Sequence, residues 1–136
     1  MGTQSPAERM LTQIDYARLT RLASLAERDA HGPVHALLES SDLVTSAAVP
    51  ATVITMYTQV LLQGDAGTPP YKITLCYPDD AEPSQGFISV LSPLGASLLG
   101  LRLGDVARWR TPLGQERTAR IMDVLFQPEA TGDYTL

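Results

Sequence analysis

The chain has 136 residues, of which 44% are hydrophobic and 18% are charged, and its formal net charge is −5. This length suits one compact domain with an appendage, or two very small units, and the composition is ordinary for a globular protein. The acidic balance offers no cationic surface to a phosphate backbone, so it disfavours direct sequence-specific nucleic-acid binding and favours a basic protein surface as the partner.

The N-terminal segment, residues 1–9, is small and polar, and we expect it to be frayed. It lacks the apolar core of a signal peptide, and no run in the chain approaches the roughly 18 apolar residues of a membrane span. The sequence therefore predicts a cytoplasmic protein with no membrane segment.

A helical hairpin is predicted next. Apolar residues recur at spacings of three and four, and Leu19 flanks the stripe that they form. The stripe consists of Leu11, Ile14, Leu22 and Leu25. The first helix should end near residues 29–30, because Pro33 follows and suits the first position of a second helix. At about 1.5 Å per residue, the arms would be only about 22 Å and about 14 Å long.

The pattern changes from helical to strand spacing after residues 43–50, the one candidate linker. Strands are predicted at residues 58–64, 71–77, 87–91, 106–111 and 116–126. Pro93 begins a short helix that should end at Gly100, with Ser92 as its N-cap. We therefore predict an α+β protein with a helical hairpin in residues 1–47 and a sheet domain in residues 48–136.

Residues that could carry chemistry are few. Cys76 is the only cysteine, and its alternating surroundings predict a small buried hydrophobe. His31 and His35 are four residues apart, but Pro33 separates them and no third ligand lies nearby, so no metal site is predicted. The chain has no phosphate-binding glycine loop and no Ser/His/Asp ordering, so we predict neither an enzyme nor a cofactor.

An acidic loop lies between two of the predicted strands, in residues 78–86. It carries Asp79, Asp80 and Glu82, and its two prolines predict a rigid backbone. Two interpretations stay open, a solvated loop and a contact with a partner.

Four sequence segments carry a family resemblance. They are VITMYTQVLL at 53–62, LCYPDD at 75–80, ISVLSPLGASLLGLRLGD at 88–105 and FQPEATGDYTL at 126–136. Together they resemble the Rnk family, the regulators of nucleoside diphosphate kinase, which are related to the transcript-cleavage factors GreA and GreB. The last segment is absent from the Gre factors, so the chain is more similar to Rnk.

The resemblance implies an FKBP-like bent antiparallel sheet with one packed helix, preceded by a short antiparallel coiled coil. It also implies a function, which is binding to bacterial RNA polymerase at the rim of the secondary channel in competition with Gre factors. Ser89 and Pro93 match Gre positions that contribute to polymerase binding, whereas Leu91 replaces an aspartate and could make an apolar contact instead.

The hairpin tip would present Glu27 and Asp29, at the place where Gre factors carry catalytic carboxylates. Because the predicted arm is much shorter than a Gre arm, we expect these residues not to reach the polymerase metal and not to stimulate transcript cleavage. Two alternatives are an FKBP-like prolyl isomerase, which the scarcity of aromatic residues disfavours, and a regulator of nucleoside diphosphate kinase or nucleotide pools, acting directly or indirectly.

Overall fold

The computed structural model of the protein describes residues 9–25, 33–64 and 68–132. Its helices are α1 (Gln13–Leu25), α2 (Pro33–Ser40) and α3 (Pro93–Leu98). Its strands are β1 (Met10–Thr12), β2 (Asp42–Val44), β3 (Gln59–Gln63), β4 (Tyr71–Cys76), β5 (Phe87–Ser89), β6 (Val106–Arg110) and β7 (Glu116–Phe126). The α+β class is confirmed, and no helix within the described ranges is long and apolar enough to cross a membrane.

The main sheet has five strands in the order β5-β4-β3-β7-β6. The neighbouring pairs β4-β3, β3-β7 and β7-β6 are antiparallel. In contrast, β5 runs parallel to β4, with Thr74 opposite Phe87. The prediction of an antiparallel sheet is therefore wrong for one strand. The physical reason is the connection of residues 77–86, which returns the chain to the starting end of β4 before β5 begins.

The long strand β7 bends the sheet. Its pairing with β3 shifts register twice, between Gln59 and Val60 and between Leu61 and Leu62. Such bulges insert an extra residue on one strand, which increases the local twist and curls the sheet. Val60 and Leu62, on the inner side of the curl, are fully buried.

A second, two-stranded ladder joins β1 and β2 in parallel, and the sequence did not predict it. Leu11 and Thr12 were expected in the first helix and residues 43–50 in a linker. The helix instead begins at Gln13, because the Thr12 hydroxyl accepts a hydrogen bond from the Asp15 backbone N–H at 3.0 Å. Thr12, as part of β1, lies opposite Val44.

The hydrophobic core is continuous across residue 47. Leu19 and Leu37 from the helices belong to the same buried cluster as Leu75 and Ile121 from the sheet. The predicted stripe on the first helix is partly wrong, because the flanking Leu19 is fully buried while Ile14 is 38% exposed. The division of the chain at residue 47 stays a prediction.

Candidate functional site

A tight corner links β5 to α3 and contains all three residues of the predicted docking site. The Ser89 hydroxyl accepts a hydrogen bond from the Leu91 N–H at 3.0 Å. The Ser89 carbonyl accepts from both the N–H and the hydroxyl of Ser92, at 3.0 and 2.7 Å. Ser92 then caps α3 by accepting from the Gly95 N–H, as predicted. Ser89 is thus engaged in shaping the corner.

The helix α3 lies so close to β5 that only glycine fits at their contact. A Cβ atom on Gly95 would lie 1.9 Å from the Ser89 carbonyl oxygen and 2.7 Å from its carbonyl carbon. The contact is backbone to backbone, so no side chain can move aside. This close packing makes the corner rigid, with Pro93 exposed and Leu91 41% exposed on its outer side.

A groove of about 290 Å³ runs beside the corner. Ser89 and Pro93 form part of one wall, and Trp109 from β6 contributes its indole to the lining. Ala81 and Pro83 of the acidic loop line the same groove. The fold therefore brings together two features that are separate in the sequence, the corner with the predicted docking residues and the acidic loop.

The acidic loop is held by a residue that sequence reasoning missed, Tyr57. Its φ of 65° lies in the left-handed region, which is uncommon for a bulky side chain. From this position its hydroxyl donates to the Asp80 carboxylate, and its ring packs on Tyr77 with centroids 5.8 Å apart. Burial, followed by the hydrogen bond to Asp80, raises the pKa of Tyr57 to about 12.

The backbone of the acidic loop is also ordered. Its two short 3-10 turns, Pro78–Asp80 and Pro83–Gln85, each begin with proline. Glu82 exchanges two backbone hydrogen bonds with Phe87 at 2.9 and 3.2 Å. The exposed carboxylates of the loop are therefore carried by an ordered backbone beside the groove.

A second titratable site, also missed from sequence, lies where α1 meets the chain that leads into β3. Asp15 is buried, and its carboxylate accepts a hydrogen bond from the Met56 N–H at 3.2 Å. Desolvation by burial raises the pKa of Asp15 to about 6, and the nearby negative charge of Glu129 contributes in the same direction. The signal available in the sequence is the position of Asp15 one turn before the buried Leu19 on the first helix.

The C-terminal signature segment has a structural role in this fold. The Gln127 amide donates to the carbonyls of Pro50 and Val53, at 2.8 and 2.7 Å. Glu129 accepts from the Thr55 hydroxyl at 2.6 Å. The segment after β7 therefore holds the residues that precede β3 in place through these hydrogen bonds.

The remaining sequence candidates are placed as follows. Cys76 is buried as predicted, and desolvation raises the pKa of its thiol. Glu27, Asp29 and His31 lie outside the described residues, as does the side chain of His35. In the part of the chain that the structure describes, no three His, Cys, Asp or Glu residues are grouped closely enough to hold a metal ion.

Comparison with known proteins assigns the sheet domain to a family. Residues 49–126 match the family model described as transcription elongation factor GreA/GreB, C-terminal. The regulator of nucleoside diphosphate kinase from Escherichia coli K12 is 34% identical over 103 residues, which is 76% of each chain. GreA from Solidesulfovibrio magneticus is 42% identical over 62 residues, 46% of this chain and 38% of that relative.

The architecture is also shared with a solved structure. The prokaryotic transcription elongation factor GreA/GreB from Nitrosomonas europaea matches with a TM-score of 0.73 and 31% sequence identity. The match covers 88% of this chain and 100% of that one, so it includes helical residues as well as the sheet.

Proposed function

The chain belongs to the family of regulators of nucleoside diphosphate kinase, which share the GreA/GreB C-terminal domain, and we propose that it acts on transcription by docking on bacterial RNA polymerase. The docking site is the corner of Ser89, Leu91 and Pro93 together with the neighbouring groove. This site contacts the rim of the polymerase secondary channel, which is the location that the resemblance to Gre factors implies. The regulator is not itself an enzyme in this proposal.

The observation that carries the proposal is the exposed Leu91 on a rigid corner. The hydroxyl of Ser89 is bonded to the Leu91 N–H, so Leu91 and Pro93 are the side chains that the corner presents. A preordered backbone lowers the entropy lost on binding, and an apolar anchor beside a groove is typical of binding hot spots. Leu91 makes an apolar contact where a Gre factor makes a polar one.

The acidic loop adds charge to the same surface. Asp79 and Glu82 are exposed on the loop that lines the groove. Carboxylates at the rim of an interface steer a basic partner and raise the association rate more than the affinity. We therefore propose a basic surface on the polymerase as the counterpart of this loop.

The first test is capture of the protein by core polymerase. We expect Leu91→Ala with Pro93→Ala to weaken capture at least tenfold, since truncating interface side chains that contribute to binding costs more than about 1 kcal/mol each and about 1.4 kcal/mol is a factor of ten. The matched control is Leu103→Ala, because Leu103 is 43% exposed, close to the 41% of Leu91, but lies outside both the corner and the lining of the groove. Adding Ser89→Ala removes the hydrogen bond to Leu91 and should weaken capture further, with only a small loss of stability.

Equal capture of the double variant and the wild type would remove the corner from the docking site. A double variant that loses its cooperative thermal transition would make these residues structural. Circular dichroism melting of each variant separates the two results.

The second test concerns what the docked protein does. The described part of α1 has 13 residues, about 20 Å at 1.5 Å per residue. A carboxylate must come within about 2.1 Å of Mg²⁺ to ligate it, and we propose that the short hairpin predicted from the sequence does not bring Glu27 and Asp29 to the polymerase metal. We expect no stimulation of transcript cleavage in a backtracked complex, and dose-dependent inhibition of Gre-stimulated cleavage.

Two variants decide between competition and catalysis. Glu27→Ala with Asp29→Ala should inhibit Gre-stimulated cleavage as the wild type does, whereas the Leu91/Pro93 variant should lose the inhibition. Cleavage by the wild type that disappears when the two tip carboxylates are removed would make the tip catalytic.

The name of the relatives favours one second candidate, regulation of nucleoside diphosphate kinase. Direct regulation requires a complex between the purified protein and the purified kinase. Capture of the kinase, without capture of core polymerase, would replace the first proposal with this one.

A further inference from the structure

A second cleft opens on the molecule, away from the docking corner. It lies between α1 and the end of β4, has a volume of about 290 Å³ and shares no lining residue with the groove. Its lining residues are Arg18, Arg21, Leu22, Tyr77, Pro78 and Asp79. Of these residues, only Asp79 also takes part in the docking proposal.

One wall of the cleft is cationic. Arg18 and Arg21 are three residues apart on α1, so they project from the same side of the helix. Like charges at this spacing repel each other, and an anion between them would relieve the repulsion. Arg18 also faces the buried Asp15 and the Tyr77 hydroxyl, whereas Arg21 is exposed. Guanidinium groups match the geometry of phosphate with two hydrogen bonds each.

Apart from Asp79, the rest of the cleft is largely apolar, and its wall is preformed. Tyr77 is held by the packing of its ring against Tyr57. The turn that follows is closed by hydrogen bonds from Asp80 to the Tyr77 carbonyl at 3.0 Å and from Ala81 to the Pro78 carbonyl at 3.1 Å. Leu22 supplies the helix side of this apolar part. Small-molecule sites commonly combine an apolar lining with a few convergent polar groups.

We propose that this cleft binds a small phosphorylated aromatic molecule, the chemical class to which nucleotides belong. The phosphate lies against Arg21 and Arg18, and the planar ring lies against Tyr77, Pro78 and Leu22. Asp79, at the mouth, disfavours ligands whose negative charge extends to that side. Because the site bridges α1 and the sheet domain, its occupation stabilises their contact.

The experiment is a nuclear magnetic resonance titration of the full chain with ADP, adenosine and pyrophosphate. The buffer contains EDTA so that no metal bridges ADP to the carboxylates. We expect ADP to cause saturable shifts at Arg21, Leu22 and Tyr77–Asp79, with a Kd near 1 mM, which corresponds to about −4 kcal/mol. Adenosine and pyrophosphate should each bind more weakly than ADP, because each offers only half of the contacts.

Arg21→Glu should weaken ADP binding about tenfold, while Arg102→Glu, which changes the net charge equally at an exposed site outside the cleft, should leave it unchanged. Absence of saturable shifts, pyrophosphate binding as tightly as ADP, or equal losses in both variants would each overturn the proposal. Capture of Arg21→Glu by polymerase should match that of the wild type, so a failure here leaves the docking proposal standing.

Discussion

Gly95→Ala is expected to be among the most damaging single substitutions in the protein. The added methyl group would overlap the Ser89 carbonyl, whose oxygen would be 1.9 Å away. Relief of that overlap requires α3 to move off β5, which would break the cap by Ser92 and uncover Leu98 and Leu99. Overpacking commonly lowers the free energy of unfolding by about 1 to 3 kcal/mol. The clash at Gly95 is between the backbones of α3 and β5, so the loss should reach or exceed the upper end of this range.

The measurement is the free energy of unfolding in urea. The matched control is Gly64→Ala, because the one described atom that a Cβ there would approach is the Thr68 hydroxyl oxygen, at an ordinary 3.7 Å. That control should be neutral or slightly stabilising, since alanine reduces the freedom of the unfolded chain. Equal stabilities for the two variants would show that α3 does not lie this close to β5.

Asp15→Asn is expected to stabilise the protein at neutral pH. The pKa of Asp15 is raised to about 6 by burial, from an unperturbed value of 3.8. The folded state therefore binds the proton more tightly than the unfolded state, and stability is lost as the pH rises from 3.8 to 6. At 1.36 kcal/mol per pKa unit, the buried charge costs about 3 kcal/mol at pH 7.5. Asparagine keeps an oxygen that can accept from the Met56 N–H without the charge.

The stability difference between variant and wild type, measured from pH 7.5 down to pH 4, isolates this carboxylate from the others. We expect a gain of about 1 to 3 kcal/mol at pH 7.5 that shrinks as the pH falls and Asp15 becomes protonated. The control Asp42→Asn changes an exposed carboxylate on β2 and should give a smaller difference at pH 7.5. A difference for Asp15→Asn that is constant over this range would mean that the carboxyl group titrates alike in both states.

Elements whose signals are local can be predicted from the sequence alone. The bounds of β7 agree with the predicted residues 116–126, and the other strands of the main sheet agree to within two residues at each end. The helix α3 begins at Pro93 behind a Ser92 cap, as its residues predicted. Alternation, capping and proline placement act within a few residues, so they can be read without knowledge of the fold.

The family signature likewise came from the sequence, and with it the positions Ser89, Leu91 and Pro93. Their interpretation required the structure. The Ser89 hydroxyl is occupied by the Leu91 N–H, so the exposed surface of the corner is apolar. Gln127 and Glu129, which also belong to the signature, bind residues 50–55 of the same chain.

Features that join distant parts of the chain could not be predicted from the sequence and depend on how the elements pack. The parallel pairing of β1 with β2 spans about 30 residues, and the hydrogen bond from Met56 to Asp15 spans 41. The acidic loop meets the docking corner because β5 runs parallel to β4, an arrangement that no alternation of residues encodes. Periodicity specifies which face of an element is buried, but it carries no information about which element covers that face. The raised pKa of Asp15 and the requirement for glycine at 95 both depend on which element packs against these residues. They could therefore be identified only from the folded structure.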